Sequence, residues 1–198
     1  MRKKETASLG MGVIMVGMPG CGKGTQAKML KEEFNFKILG TGDLLRKRCQ
    51  EEPSFEKQYG HIMDSGKLLP DDVVNETLCK HFDSLPVWSR WILDGFPRTI
   101  SQYQRIRECL LEKRREHPII ILHFSGVLKI VLLGRILSRK VGRKDDNKYS
   151  FAIRAKEYTE NTPGLMEVFK SDEFLVKMVR ATSHIELVSA NVLSALNL

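Results

Sequence analysis

The hydrophobic residues of this chain fall into five short, nearly continuous runs, and none of them alternates cleanly with polar residues. The runs are residues 12–16 (GVIMV), 36–39 (FKIL), 91–93 (WIL), 119–124 (IIILHF) and 174–179 (FLVKMV). Strands of a parallel sheet are covered on both faces, so their side chains are apolar on both faces as well. The runs therefore predict five buried strands of a parallel sheet.

The segments between the runs have the spacing of amphipathic helices. After the first run, Ala27, Leu30 and Phe34 recur at intervals that place them on one helical face. Alternating strands and helices predict an α/β fold with right-handed crossovers. Two stretches interrupt the alternation, the polar residues 41–74 and the basic residues 139–149, and both are predicted to be insertions on the core.

Composition narrows the class of protein. The chain has 198 residues, of which 42% are hydrophobic and 28% charged, and this balance is typical of one globular domain. No apolar run approaches the roughly 18 residues that a membrane-spanning helix needs. Residues 1–10 (MRKKETASLG) are predicted to be a disordered basic leader that lacks the apolar stretch of a signal peptide, and residues 11–198 a single domain.

The cysteines carry information about the compartment. Cys21, Cys49, Cys79 and Cys109 lie roughly thirty residues apart, and none forms a CxxC or CxxH pair. This spacing favours neither a zinc site nor a disulfide framework. The sequence thus predicts a reduced, cytoplasmic protein without zinc.

The positive charge is concentrated in one part of the chain. Residues 129–148 contain seven basic residues against two acidic ones, a net +5 of the total +8. Such a cluster suits a nucleic-acid surface, a solvated face or a grip on a small polyanion, and the charge alone does not choose among them.

The strongest chemical signal is the segment GMPGCGKGT at residues 17–25, which follows the first predicted strand and opens a predicted helix. Glycines let backbone N–H groups turn towards an anion, and the helix N-terminus adds a favourable dipole. Lys23 is placed to reach the outer phosphates of a nucleotide. The general P-loop pattern has Ser or Thr directly after the lysine, whereas here Gly24 comes before Thr25.

That GKGT variant is the first of five motifs that resemble the adenylate kinase family. They are GMPGCGKGTQ (17–26), TGDLLR (41–46), GKLLPD (66–71), LDGFPRT (93–99) and GRKDDN (142–147). They follow the family's order and cover about residues 12–165. The resemblance implies a P-loop three-layer α/β/α fold with a five-stranded parallel sheet and two mobile insertions, an AMP-binding one near residues 41–74 and a short lid near residues 139–149.

The resemblance also implies an activity, the reversible Mg²⁺-dependent transfer of a phosphoryl group from ATP to AMP, giving two ADP. It implies a cytoplasmic monomer that binds small nucleotides rather than nucleic acid or a membrane. Such a reaction needs cationic groups for two polyanions, preferably arginines, whose planar fork grips phosphate oxygens in pairs. It needs no general base, because a phosphate monoester with a second pKa near 6 is largely dianionic at neutral pH.

Residue roles follow from the matching motifs. The residues implied to bind ATP are Gly20, Cys21, Gly22, Lys23, Gly24, Thr25, Arg135 and Arg139. Those implied to bind AMP are Thr41, Arg46, Lys67, Leu68, Leu69, Gly95, Arg98, Gln102, Arg143 and Arg154. The catalytic set comprises Lys23, Asp94, Arg98, Arg143 and Arg154, with Asp94 orienting Mg²⁺ through bound water.

The basic cluster also carries a pattern of its own. Arg135, Arg139 and Arg143 recur every four residues, which predicts one helical face that Gly142 ends before Arg143. The four-cysteine zinc lid of some relatives is absent. The segment Ala181-Thr182-Ser183-His184 stands where the family has a glycine-containing loop at the donor base, so donor selectivity stays open.

Two other functions remain as alternatives. A UMP/CMP kinase has the same fold, but Thr41, Thr99 and Gln102 match the adenylate kinase pattern, in which the glutamine reads the adenine edge. A non-catalytic protein that binds nucleotides or nucleic acid is a third reading. The complete set of arginines argues against it, because a degenerate kinase would be free to lose some.

Overall fold

The computed structural model describes residues 10–86, 89–139, 143–182 and 184–198. Its strands are β1 (Met11–Gly17), β2 (Lys37–Gly40), β3 (Arg90–Asp94), β4 (Ile119–Ser125) and β5 (Leu175–Arg180). Its helices are α1 (Lys23–Phe34), α2 (Thr41–Glu51), α3 (Pro53–Asp64), α4 (Asp71–Phe82), α5 (Ile100–Glu116), α6 (Lys129–Leu137), α7 (Lys148–Ser171) and α8 (Ile185–Leu196).

The five strands form one parallel sheet in the order β2-β3-β1-β4-β5. The predicted fold class is therefore confirmed, and each predicted strand is present within one or two residues of its expected ends. The prediction that all five strands are buried is wrong for β5, an edge strand whose Leu175 and Met178 are 52% and 62% exposed. Phe36 and Phe174 were expected inside strands but precede them, and both are buried. In a sheet of this kind the carboxyl ends of the strands meet at one edge, where α/β proteins bind ligands.

The two faces of the sheet carry separate cores, which explains the continuous apolar runs. In β1, Val13 and Met15 pack on one face, whereas Ile14 and Val16 pack on the other. Helices α1, α6 and α8 contribute to the first core, and α4, α5 and the second half of α7 to the other. Because successive side chains of a strand point to opposite faces, a strand covered on both faces, such as β1 or β4, needs apolar residues at nearly every position.

The start of β1 is packed so closely that it requires glycine. A Cβ atom at Gly12 would lie 2.3 Å from Cζ2 of Trp91. The indole cannot move away easily, because its ring is 1% exposed, packs edge-on against Phe82 and donates a hydrogen bond from Nε1 to Nε2 of His117 at 3.2 Å.

We expect Gly12→Ala to lower the free energy of unfolding by about 1–3 kcal/mol, because overpacking forces side chains out of their preferred positions. Urea denaturation measures the change. Gly134→Ala is the matched control, since a Cβ at this exposed position of α6 meets nothing within 4 Å. Alanine should stabilise that helix by about 0.5–1 kcal/mol. Equal stability of Gly12→Ala and the wild type would contradict the packing argument.

The prediction that one helical face carries Arg135 and Arg139 and ends at Gly142 is wrong. Helix α6 ends at Leu137, so only Arg135 lies on it. The last turn is closed by the N–H of Ser138, which donates to the Gly134 carbonyl at 3.0 Å, and by Ser138 Oγ, which donates to the Arg135 carbonyl at 3.2 Å. A serine that satisfies the terminal carbonyls ends a helix earlier than the charge spacing suggests.

The two predicted insertions differ in what can be described. Residues 41–74 contain α2, α3 and the beginning of α4, as their polar helical pattern predicts. In the predicted lid, residues 140–142 lie outside the described residues, and residues 143–147 are not helical. Of the predicted leader, only Gly10 is described. Within the described ranges, no helix is both long and apolar enough to cross a membrane.

Candidate active site

A cavity of about 1030 Å³ lies at the carboxyl ends of the strands. It is lined by every residue for which the sequence predicts a role. These are Gly20, Cys21, Gly22, Lys23, Gly24, Thr25, Thr41, Arg46, Lys67, Leu68, Leu69, Asp94, Gly95, Arg98, Gln102, Arg135, Arg139, Arg143 and Arg154. Residues from six segments of the chain therefore meet around one space, although their individual roles stay predictions.

The glycine-rich loop wraps around its own lysine. Lys23 Nζ donates to the carbonyls of Gly17 and Met18 at 2.6 and 3.2 Å. Gly20 and Gly22 have φ angles of 83° and 102°, in the left-handed region that favours glycine. A Cβ at Gly20 would lie 2.6 Å from the Leu132 carbonyl oxygen, so α6 approaches the loop directly. These contacts hold the ammonium group of Lys23 at the loop, beside the N-terminus of α1.

The carbonyl of Gly95 joins two segments on the opposite side of the cavity. It accepts a hydrogen bond from Thr41 Oγ1 at 3.1 Å and another from Arg98 Nε at 2.8 Å. The first contact fixes the start of α2 to the end of β3, and the second aims the Arg98 side chain. Burial lowers the pKa of the Arg98 guanidinium, and the nearby carboxylate of Asp94 opposes this effect. Arg98 thus supplies a partly desolvated positive charge.

Asp43 holds two predicted site arginines together. Its Oδ1 lies 2.6 Å from Arg46 Nη2 and 3.0 Å from Arg143 Nη2. Burial raises the pKa of Asp43, but the hydrogen bond from Arg46 and the charge of Arg143 outweigh it and leave the pKa below its ordinary value. The carboxylate therefore binds an arginine that lies 100 positions further along the chain. The sequence analysis did not single out Asp43, although its place three residues before Arg46 was the available signal.

The two acidic residues of the basic cluster bind two further predicted site arginines. Arg154 Nη1 lies 2.9 Å from Asp145 Oδ2, and Arg139 Nη1 lies 3.1 Å from Asp146 Oδ1. The side chain of Arg154 is only 12% exposed. Burial lowers its pKa, and the Asp145 carboxylate counteracts this effect. These arginines are held in defined positions around the cavity. Such fixed positions are expected of a site that binds a small polyanion rather than of a solvated face.

Further contacts place the remaining segments. Arg135 donates from Nη1 and Nη2 to the Ala181 carbonyl at 3.3 and 3.4 Å, next to the predicted donor-base loop. Ser183 of that loop lies outside the described residues. The N–H of Leu68 donates to Glu157 Oε1 at 3.2 Å. Burial raises the pKa of Glu157, a cavity-lining residue that the sequence analysis missed because no motif contains it.

The oxygen atoms near the loop suit a magnesium ion. Asp94 Oδ2 would lie 3.6 Å from a Cβ at Gly24, so the carboxylate faces the beginning of α1, where Thr25 also lines the cavity. Mg²⁺ is usually bound by one or two carboxylates and keeps several waters, so the single carboxylate of Asp94 at the cavity fits it. Among the described residues, no three His, Cys, Asp or Glu side chains converge as a metal-binding group.

Comparisons with known proteins agree over most of the chain. The family model described as "Adenylate kinase" matches residues 15–174. The adenylate kinase of Prochlorococcus marinus subsp. pastoris is 36% identical over 180 residues, covering 91% of this chain and 94% of the relative. That of Bartonella tribocorum is 37% identical over 175 residues, covering 85% and 91%. That of Corynebacterium urealyticum is 33% identical over 187 residues, covering 94% and 99%.

Proposed function

Because this chain belongs to the adenylate kinase family, we propose that its cavity holds ATP and AMP together, with their facing phosphates between Lys23 and the arginines. The chain catalyses the reversible transfer of a phosphoryl group from ATP to AMP, giving two ADP. The observation that carries the residue roles is that the glycine-rich loop, the Arg98 segment and the basic cluster line one cavity of about 1030 Å³. Pockets for single small ligands typically measure about 300–1,000 Å³.

The donor side consists of the loop and the end of α6. Backbone N–H groups of residues 20–25 surround the outer phosphates of ATP, and Lys23 exchanges its two carbonyl contacts for phosphate oxygens. Arg135 on α6 and Arg139 just after it face the donor nucleotide. Support for this assignment comes from the approach of α6 to Gly20.

The acceptor side lies between α2, the segment before α4 and the end of β3. Thr41, Gly95, Gln102 and residues 67–69 form the walls around AMP, and Arg46 binds its phosphate. The hydrogen bond between Thr41 and Gly95 supports this assignment, because it joins two of the walls.

Transfer itself requires positioning and charge neutralisation. A phosphate oxygen of AMP attacks the γ-phosphorus of ATP, the bond from phosphorus to the bridging oxygen breaks, and ADP leaves with that oxygen. Lys23, Arg98, Arg143 and Arg154 stabilise the charge that spreads over the transferred group. Asp43 and Asp145 keep two of these arginines in position, so little reorganisation is needed when the nucleotides bind.

We also propose that Asp94, through bound water, and the hydroxyl of Thr25 hold Mg²⁺. When bound, the ion would offset part of the negative charge of the donor phosphates. Closure of the proposed lid, residues 139–149, over the cavity would exclude water that otherwise hydrolyses ATP.

The acceptor preference tests the function. We expect kcat/KM for AMP to exceed that for CMP or UMP by about tenfold to more than a hundredfold, because each polar group left unpaired by the wrong base costs roughly 1–3 kcal/mol. A coupled assay of ADP formation at fixed ATP, with a blank that lacks acceptor, measures the ratio. Equal kcat/KM for CMP and AMP would show that the site does not read adenine.

The predictions of compartment, oligomeric state and the ligand of the basic cluster rest on composition and family resemblance. We propose a cytoplasmic monomer whose basic cluster binds nucleotides and no nucleic acid. Light scattering at micromolar concentration tests the monomer. Retention of labelled RNA at physiological salt tests the last point, because non-specific binding by such a cluster is salt-dependent.

A further inference from the structure

Asp71, the first residue of α4, binds two residues of the acceptor side with its two carboxylate oxygens. Oδ1 accepts a hydrogen bond from Gln102 Nε2 at 2.8 Å, and Oδ2 accepts one from Thr99 Oγ1 at 3.1 Å. Thr99 Oγ1 in turn accepts from the Gln102 N–H at 3.0 Å, which closes a ring of hydrogen bonds. Gln102 is 1% exposed and lines the cavity.

This ring fixes the orientation of the Gln102 amide. Oε1 of Gln102 accepts from the Arg98 backbone N–H at 2.8 Å. An ionised carboxylate can only accept a hydrogen bond, and a backbone N–H can only donate one. Rotation of the amide by half a turn would set Oε1 against the Asp71 carboxylate and Nε2 against the Arg98 N–H. Two hydrogen bonds would be replaced by two repulsive contacts, so only one orientation is stable.

The fixed amide presents a defined pattern to a ligand. Nε2 keeps one further N–H, and Oε1 keeps one further lone pair. A donor and an acceptor in fixed order pair with a base edge of one polarity. A 6-aminopurine offers an amino donor beside a ring-nitrogen acceptor, whereas a 6-oxopurine offers a carbonyl acceptor beside a ring N–H. An amide free to turn could pair with either edge.

We propose that Asp71 is a positioning residue that makes the acceptor site selective for 6-aminopurine over 6-oxopurine nucleotides. It acts by holding the Gln102 amide in one orientation. The proposal rests on the proposed role of Gln102 at the acceptor base. It does not require Asp71 to contact the nucleotide.

The test compares kcat/KM for AMP and IMP at saturating ATP, since these acceptors differ in the 6-substituent of the purine. In Asp71→Ala, we expect the AMP-to-IMP ratio to fall by about tenfold or more, because one of two interactions that orient the amide is gone. The ratio is taken within one variant, so it is independent of the fraction of folded protein. KM for ATP should change less than about twofold, and Asp71→Asn should restore part of the ratio, because its Oδ1 can still accept from Gln102.

The matched control is Asp72→Ala. Asp72 carries the same charge in the same first turn of α4 but is exposed, and its loss should leave the ratio unchanged. A fall in Asp72→Ala equal to that in Asp71→Ala would attribute the effect to charge at the helix terminus and overturn the proposal.

Gln102→Ala distinguishes a failure of the inference about Asp71 from a failure of the proposed role of Gln102. If this variant loses the ratio while Asp71→Ala keeps it, Gln102 reads the base and the inference about Asp71 is wrong. If neither variant changes the ratio, the proposed role of Gln102 fails and the inference fails with it.

Discussion

Arg98→Ala is expected to lower kcat by about 10²–10⁴-fold while the protein stays folded. The Arg98 guanidinium is tied to the Gly95 carbonyl through Nε, which leaves its other N–H groups for phosphate oxygens. A charge-assisted hydrogen bond contributes about 1.5–3 kcal/mol, and each 1.36 kcal/mol in the barrier is about tenfold in rate. Loss of two such bonds at a partly buried site accounts for the expected range.

Arg98→Lys distinguishes charge from geometry. Lysine keeps the positive charge but lacks the planar fork, so this variant should recover only part of the rate. Steady-state kinetics with both nucleotides saturating gives kcat, and circular dichroism checks the fold. A rate for Arg98→Ala within about threefold of wild type would remove Arg98 from the catalytic set, because that change corresponds to less than one hydrogen bond.

Arg154→Ala is expected to slow turnover by roughly ten- to a hundredfold, because it removes one cation from the transferring phosphates. The substitution also leaves Asp145, whose side chain is 14% exposed, without its partner. We therefore expect the free energy of unfolding to fall by about 1–3 kcal/mol as well. Thermal denaturation reports that loss separately, so kcat can be expressed per folded molecule.

Two further variants show whether the loss of activity depends on the position of the removed charge. Arg143→Ala should slow turnover to a similar extent as Arg154→Ala. Lys148→Ala is the matched control from the same basic cluster: Lys148 is exposed and matches no ligand position, so its loss should change kcat less than about threefold. If Arg143→Ala instead kept full activity and lost binding to RNA, the basic cluster would be a nucleic-acid surface.

The strands and the glycine-rich loop of this protein are determined by local features of its sequence. The apolar runs predict the inner strands β1, β3 and β4 because a residue buried on either face of a doubly covered sheet must be apolar, whatever its neighbours are. The run of β5 is apolar without being buried, since Leu175 and Met178 of this edge strand are exposed. The loop at residues 17–25 is predictable for a similar reason, since left-handed φ angles such as those of Gly20 and Gly22 favour glycine. Most of the candidate site residues come from motifs in these loops and strand ends, and all of them line one cavity.

The partners of those residues were decided by the tertiary structure alone. Asp43 meets Arg143 across 100 positions, and Asp71 meets Gln102 across 31. Each aspartate looks like an ordinary helix-start residue in the sequence, since acidic side chains favour the first turn of any helix. Which carboxylate binds which arginine or amide depends on how the helices of residues 41–82 pack against the core, because hydrogen bonds need atoms within about 3 Å, and spacing along the chain does not determine such distances between separate elements.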